Sequence, residues 1–450
     1  FDRTEKRHLY ATKVVPRVLC SSLIFKGGFF IFIEEGDVVM QASRVDRKMN
    51  DISLEDVYDA AAALKNVLRP TELIGSPFFS GECGNNVFLK PENLQVTGAF
   101  KIRGAYNKIS RLNETERQKG IIAASAGNHA QGVGYAARLL NTKARLVMPA
   151  ATPIIKVEAT RQYGVDVILH GDNYDEAYRK ARELEMVHGH VFVHPFDDPH
   201  VIAGQGTLAL EILGQLDNTD VIVVPVGGGG LISGIALVAK MLKPGIRIIG
   251  VEPEGASCVA ASLANKMVVE LPAVDTMADG AAVKKPGDLT FDLIRRYVDD
   301  VITVSDLDII EAILLLMEKH KLVTEGAGAL ALAGLKHLPA AGQNVVCLVS
   351  GGNIDISTIS AIINRALVAR KRLFCFTVNL LDKPGELLHV AQILADLRAN
   401  VIKLDHNQSK VMDRFKLVQL EITVETNGAA HVADIEAELY RQGYSISKVY

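Results

Sequence analysis

Apolar positions along this chain follow two successive regimes. Through its middle, short continuous runs rich in β-branched residues alternate with longer stretches of helical periodicity. The runs at 120–124, 144–148, 165–169, 191–194, 220–226, 246–251, 301–304 and 344–349 predict strands. Helical spacing over 130–140, 154–163, 173–187, 231–242 and 307–319 predicts the elements between them. Ahead of this stretch, Ser53 and Asp56 have capping-box spacing, and Val57, Ala60, Ala61, Leu64, Val67 and Leu68 keep one helical face up to Pro70. Continuous runs such as Val221-Ile222-Val223-Val224 suit strands covered on both faces. Strand-helix alternation of this length predicts an α/β architecture with a mostly parallel sheet.

Beyond Arg370 the order of elements changes. Residues 373–380 read as a strand, Asp382-Lys383-Pro384-Gly385 as a turn, and Leu387, Leu388, Ala391, Leu394 and Leu397 as one face of a helix. Strands over 401–405 and 415–424, a helix over 432–442 and a strand over 445–449 complete a split β-α-β-β-α-β order. The expected organisation is a main domain over 49–370 and a small module over 371–450. Residues 1–48 stand apart: the apolar piece from Ile24 to Ile33 is broken by Lys26, Gly27 and Gly28, too short for the core of a signal peptide. They are expected to be a disordered or non-native extension, with the native start at Met40 or Met49.

Charge narrows the partners. Lys and Arg number 49 against 52 Asp and Glu, a net charge of -3, and the last eighty residues balance ten against ten, so no basic surplus invites nucleic acid. No apolar run reaches the length of a membrane span. The cysteines, Cys20, Cys83, Cys258, Cys347 and Cys375, are scattered and form no CxxC pair. That reads as reduced thiols in a cytoplasmic protein, not a disulfide frame or zinc site.

Four segments carry chemistry. Thr97-Gly98-Ala99-Phe100-Lys101-Ile102-Arg103-Gly104 sets a lysine among small and aromatic neighbours, where an amine can be held neutral and nucleophilic. Val226-Gly227-Gly228-Gly229-Gly230-Leu231 joins a buried strand to an apolar helix, so its backbone N–H groups form an anion nest at a helix start. It matches neither GxGxxG nor GxxxxGK[ST]. Ser350-Gly351-Gly352-Asn353 places a hydroxyl at a strand end, and Ser125-Ala126-Gly127-Asn128-His129 opens a helix whose N-terminus favours a carboxylate. Taken singly, Lys101 reads as a solvated helix lysine and 125–129 as a turn with capping Ser and Asn. Taken together, the segments compose a pyridoxal phosphate pocket: a Schiff-base amine, a phosphate nest and a partner for the ring nitrogen. In such sheets ligands gather beyond the carboxyl ends of the strands, where the glycine-rich segments fall.

Ala99 to Gly104 resembles the Schiff-base lysine motif of fold-type II pyridoxal phosphate enzymes, and residues 52–370 resemble the threonine/serine ammonia-lyases. Residues after 371 resemble a single regulatory ACT domain. The resemblance implies a tryptophan synthase β-like body of two open α/β lobes, followed by an α+β ferredoxin-like ACT domain. It implies that Lys101 forms the Schiff base with pyridoxal 5'-phosphate and then takes the Cα proton. Phe100, Asn128, Gly227, Gly228, Gly229, Gly230, Leu231 and Ser350 would contact the cofactor, Asn128 at the ring hydroxyl and Ser350 at the ring nitrogen. Ser125, Ala126, Gly127, Asn128 and His129 would clamp the substrate carboxylate, with Ser125 and Ala126 at catalytic positions. A neutral hydroxyl at the ring nitrogen makes a weaker electron sink, which suits β-elimination better than transamination.

The expected reaction is therefore deamination of L-threonine to 2-oxobutyrate and ammonia, with L-serine giving pyruvate, by a homo-oligomer (dimer or tetramer) of amino-acid metabolism, isoleucine biosynthesis included. A serine racemase is the alternative on the same fold, but that family carries a serine immediately before the Gly-Asn of the loop, where this chain has Ala126. An amino-acid sensor with a dead catalytic half is opposed by the intact Lys101, Asn128, glycine loop and Ser350. By resemblance, Asp382, Pro384 and Gly385 would line an effector pocket between paired modules, taking isoleucine or valine, or an adenine nucleotide. No metal is expected. His188, His190 and His194 share a face by parity on a predicted strand but lack further ligands, and are read as loop and strand histidines. Glu252 and Ala256 match two ligand positions of related racemases and dehydratases, while Cys258 stands where an Asp would be.

Overall fold

The computed structural model describes residues 52–407 and 417–449. Within 1–51 it describes two short antiparallel pairings, Ile24–Lys26 with Phe29–Ile31 and Ile33–Glu34 with Asp37–Val38. The expected disordered or non-native character of 1–48 lies outside the described residues.

Two sheets build the body that precedes Arg370. The larger has the order Asp300–Val304, Arg247–Pro253, Val221–Pro225, Asn344–Val349, Asn86–Pro91 and Ile74–Gly75. Its strands are parallel except for the last pair. The smaller sheet, all parallel, runs Val191–Phe192, Ile121–Ala124, Ala144–Met148 and Asp166–Leu169. The chain leaves the larger sheet after Pro91 and returns to it at Val221, so the smaller lobe is an insertion. This is the two-lobed α/β body expected of the sequence. The near-continuous apolar strands have the predicted cause: Val221, Ile222, Val223 and Val224 are all buried, with alternate residues feeding core clusters on opposite faces.

Two helices fix the seam between the lobes. Lys101–Ser110 crosses Pro199–Gln215 at a close backbone approach, because Gly104 and Gly204 face each other. A Cβ on Gly204 would lie 2.5 Å from the Arg103 carbonyl oxygen, and one on Gly104 would lie 2.7 Å from that of Val201. The helix Pro199–Gln215 escapes a search for amphipathic spacing because residues 201–209 are buried in succession, on every face. Asn86–Pro91 escapes a search for apolar runs because it carries the buried Lys90. The helix expected over 307–319 is α-helical only over Asp306–Leu315 and continues as a π-helical turn, Leu316–His320.

The C-terminal module has the expected β-α-β-β-α-β order. Its antiparallel sheet runs Asn400–Asn407, Leu417–Glu425, Leu373–Leu381 and Ile446–Lys448. Helices Glu386–Asp396 and Ala429–Arg441 pack on it through Val390, Ile393, Leu394, Val432, Ile435 and Leu439. The start expected at 415 for its third strand lies outside the described residues.

Candidate active site

Lys101 is the first residue of its helix, directly behind the turn that ends in Phe100. Its Nζ donates a hydrogen bond to the Pro195 carbonyl at 2.8 Å and stands 5.3 Å from the centroid of the Phe100 ring. Burial pushes the amine down to about 8, against the opposing pull of Glu325. A lysine so placed holds a minority neutral, nucleophilic form near physiological pH, far more than an ordinary lysine does.

The helix carrying it is anchored from below by a buried ion network. Arg103 Nε donates to Glu92 Oε2 at 2.7 Å and its Nη2 to Glu92 Oε1 at 2.8 Å, a fork-to-fork pair. Its Nη1 donates to Glu211 at 2.6 Å and to Thr207 at 3.1 Å. Lys90 Nζ closes the network on Glu211 at 2.7 Å. These residues come from a strand, a turn and the two crossing helices, so the start of the Lys101 helix is fixed in both direction and rotation.

The glycine loop is wrapped around an aromatic residue that the sequence reading did not single out. A Cβ on Gly228 would meet the Phe196 ring, one on Gly230 would meet the Phe196 backbone, and Gly229 has φ +92. The helix Gly230–Leu242 begins here with no side-chain cap, leaving its first N–H groups aimed at the loop. Thr290 Oγ1 donates to the Gly228 carbonyl at 2.8 Å, and the Asp197 carboxylate accepts from the Thr290 N–H at 3.1 Å. The turn Pro195-Phe196-Asp197 thus touches Lys101 with its first residue and the glycine loop with its second. Leu231 and Phe100 belong to one buried cluster.

The remaining segments close the pocket. The Phe100 N–H donates to the Ser350 carbonyl at 3.1 Å, and Ser350 Oγ donates to the Ala327 carbonyl at 3.2 Å. Ser125 follows the strand Ile121–Ala124, its Oγ accepting from the Gly127 N–H at 3.2 Å, and the helix Asn128–Leu139 starts two residues after Ala126. Ser125, Ala126, Gly127 and Asn128 are all partly open, whereas His129 is buried. Asn128 Oδ1 accepts from Asn353 Nδ2 at 2.7 Å, and Asn128 Nδ2 donates to Glu325. His129 Nε2 meets the Val193 carbonyl at 2.9 Å and must therefore carry its proton there; burial, then the nearby Lys101, push this ring down to about 3. His194 Nδ1 accepts from the Asp197 N–H at 2.8 Å, and burial pushes it down to about 4. Both rings are neutral at physiological pH.

Residues 64–351 match the family model described as pyridoxal-phosphate dependent enzyme. The chain belongs to the pyridoxal-phosphate dependent enzymes. Among its relatives in that family is the L-threonine ammonia-lyase of Thermotoga maritima, 46% identical over 88% of this chain and 99% of that protein. A solved structure of maize serine racemase is 36% identical, with a TM-score of 0.67, over 71% of this chain and 99% of that one. The processed form of threonine deaminase isoform 2 from Solanum lycopersicum is also 36% identical, with a TM-score of 0.66, over 78% of this chain and 99% of that one.

The residues present fit the cofactor of a pyridoxal-phosphate dependent enzyme. A buried amine of lowered basicity, a glycine cradle at an uncapped helix start and a serine hydroxyl at a strand end are brought together through Phe100 and the turn 195–197. Asp382, Pro384 and Gly385 sit apart in sequence, exposed in the turn before the helix Glu386–Asp396 of the C-terminal module.

The three clustered histidines do not share a strand face, contrary to their parity. His188 ends the helix Tyr174–His188, and the strand is confined to Val191–Phe192. Gly189, with φ +68, turns the chain between them. His190 Nδ1 lies 2.6 Å from the Lys119 carbonyl, and His194 belongs to the turn beside Lys101. Glu252 accepts from the Val259 N–H at 2.9 Å and from the Ala260 N–H at 2.8 Å, so both carboxylate oxygens are engaged by the helix Cys258–Asn265. Among the described residues no group of His, Cys, Asp and Glu is placed to hold a metal.

Proposed function

We propose that this chain is an L-threonine ammonia-lyase, forming 2-oxobutyrate and ammonia, and that it also deaminates L-serine to pyruvate. The observation that carries the reading is the buried Lys101 amine, set on the family's motif in a chain that parallels a threonine ammonia-lyase along nearly its whole length. When bound, pyridoxal phosphate supplies the electron sink that makes the substrate α-proton acidic.

The chain's own residues do the rest. Lys101 holds and moves the α-proton at Nζ, which its burial keeps ready to accept. The N–H groups of the loop 125–129, at a helix start, bind the substrate carboxylate. The glycine loop 227–230 and Leu231 would hold the phosphate, Phe100 borders the lysine, Asn128 would hold the ring hydroxyl and Ser350 would meet the ring nitrogen. An uncharged Ser350 at that nitrogen would leave the sink moderate, which would favour loss of a β-leaving group. The hydroxyl departs from Cβ as water, and hydrolysis of the released enamine returns one water, so threonine yields 2-oxobutyrate and ammonia with no net water. Ala126 has no ionisable side chain to deliver a proton to the opposite face, which weighs against racemisation. Purified enzyme saturated with pyridoxal phosphate should form 2-oxo acid from threonine and from serine, and absence of product from both would overturn the assignment.

In this reading 49–370 is the catalytic domain and 371–450 an ACT regulatory domain. Its edge strand Asn400–Asn407 leaves Val401, Ile402 and Leu404 exposed, an apolar edge suited to pairing with a second copy in a dimer or tetramer. The helix Glu386–Asp396 begins without a side-chain cap behind Asp382-Lys383-Pro384-Gly385, so its N–H groups suit an effector's carboxylate. Isoleucine or valine is the first effector class and an adenine nucleotide the second. Cys258, Cys347 and Cys375, buried and unpaired, accord with a cytoplasmic enzyme. A chain ending at Arg370 should keep lyase activity and lose the response to these effectors. Identical saturation curves for the long and short chains would leave the module a structural one.

A further inference from the structure

We infer that Glu325 is a positioning residue of this site, gripping the Asn128 amide from the opposite lobe. The inference rests on the roles proposed above for Lys101 and Asn128.

Hydrogen-bond connectivity fixes which way the Asn128 amide points. Asn353 Nδ2 donates to the Thr97 carbonyl at 2.8 Å, so that atom is a donor. Its second hydrogen goes to Asn128 at 2.7 Å, so Asn128 must present Oδ1 there. Asn128 Nδ2 is thereby turned to Glu325 Oε1, at 2.5 Å. That contact uses one N–H and leaves the other for a ligand. Asn128 belongs to the smaller lobe, as the first residue of Asn128–Leu139. Glu325 and Asn353 flank the larger lobe's strand Asn344–Val349 in the chain, so the two together span the cleft.

Glu325 is free to do this because it does nothing for its own helix. It occupies the N-cap of Gly326–Ala333, yet its side chain makes no capping bond. The main chain beneath it is pinned instead: the Glu325 N–H donates to the Gly351 carbonyl at 3.2 Å, and Thr324 Oγ1 donates to the same carbonyl at 2.7 Å. A rigidly held backbone with an arm reaching across the cleft is a second support for the Asn128 amide, which Asn353 alone would leave free to swing.

Charge links the arm to the lysine. Burial pushes the Glu325 carboxyl up to about 7; the Asn128 bond, Lys156 and Lys101 pull it down, and Asp279 pushes it further up. Reciprocally, the ionised carboxylate favours the Lys101 ammonium against burial. Removing the charge must therefore lower the lysine's pKa, and the nucleophilic form becomes available at lower pH.

The test uses the full chain depleted of cofactor, with uptake of pyridoxal phosphate followed by the visible absorbance of the bound cofactor across roughly pH 6 to 9. In Glu325→Gln, which keeps shape without charge, the rise of uptake rate with pH should move to lower pH, and cofactor affinity should fall as the grip on Asn128 weakens. Glu325→Asp keeps the charge but shortens the arm, so its profile should stay near that of the natural chain while its cofactor affinity falls several-fold. A Gln variant with unchanged profile and affinity overturns the inference, and so does an equal displacement of the profile in both variants. A natural chain that takes up cofactor but deaminates neither threonine nor serine would instead count against the ammonia-lyase reading, and would leave the uptake profiles interpretable.

Discussion

Phe196 Cδ1 lies 2.3 Å from where a Cβ on Gly228 would stand, so the aromatic ring and the glycine exclude any larger residue at that position. The neighbouring Pro195 carbonyl holds Lys101 Nζ at 2.8 Å, and one turn thereby touches both the glycine loop and the lysine amine. Gly228→Ala should push Phe196 away, costing about 1–3 kcal/mol of stability and loosening the cofactor. Urea midpoints and loss of visible absorbance on dialysis measure the two effects. Pairing the change with Phe196→Ala should recover part of the loss, since the two side chains compete for one space.

Lys101→Ala should remove the visible absorbance of the bound cofactor and nearly all deamination, because the proposed roles make the nucleophile and the proton acceptor the same atom. Lys101→Arg should be no better, since a guanidinium stays protonated at any working pH. In the natural chain, cofactor uptake should accelerate as pH rises through about 8, where the amine loses its proton. Substantial turnover in a folded Lys101→Ala protein would remove Lys101 from the mechanism.

The alternating body, the β-α-β-β-α-β module and the four chemistry-bearing segments were legible because each is local: a run of β-branched residues, a turn, a glycine string. Partners brought from elsewhere in the chain were not. Phe196 has no local signature beyond following a strand, and its meaning comes from Gly228 and Gly230, far along the sequence. Glu325 left a faint signal, an acidic residue just ahead of an apolar Gly/Ala helix at a position where Ser, Thr, Asp or Asn would be the ordinary cap. The three histidines misled because parity presumes an unbroken strand, and Gly189 interrupts it. Lys90 and Glu92, charges next to an apolar strand, signalled a buried network whose other half, Arg103 and Glu211, only the crossing of two helices supplies.

That network sets its own expectation. Arg103 is 1% exposed and Glu92 fully buried, so Arg103→Met should strand a carboxylate without its partner and cost about 3–5 kcal/mol. Arg103→Lys keeps the charge but cannot reproduce the fork, and should fall between the two. Equilibrium unfolding in urea reads the loss directly. A Met variant as stable as the natural protein would mean that Glu92 takes up a proton at little cost.

Acid sensitivity should follow from His129. Its ring ordinarily titrates near 6.5, but burial, reinforced by Lys101, holds it neutral down to about 3 in the folded chain. The unfolded chain therefore binds the extra proton first, so this contribution to stability is intact above pH 6.5 and is lost as pH falls toward 3. The slope should approach about 1.4 kcal/mol per pH unit for this one group. His129→Asn, which cannot take up that proton, should flatten the dependence of urea midpoint on pH below 6.5. An unchanged slope would assign the acid sensitivity to other groups, His194 first.

On the proposed reading, Ala126 is the residue expected to separate elimination from racemisation. It lies between the strand Ile121–Ala124 and the helix Asn128–Leu139, partly open to the cleft. On the proposed reading, a serine immediately before the Gly-Asn would work the face of the substrate opposite the lysine. A methyl group there can neither give nor take a proton, so if Lys101 takes the α-proton as proposed, elimination is expected to be the main exit. Ala126→Ser adds one hydroxyl at a part-open position, where the extra atom meets little packing resistance. The substitution should introduce measurable D-serine from L-serine while leaving most of the pyruvate formation in place. Chiral separation of the residual serine, alongside pyruvate measured in the same samples, gives the ratio of the two outcomes. Equal D-serine from the natural and substituted chains would show that residue 126 does not decide between them, and that the barrier to racemisation lies elsewhere on that face.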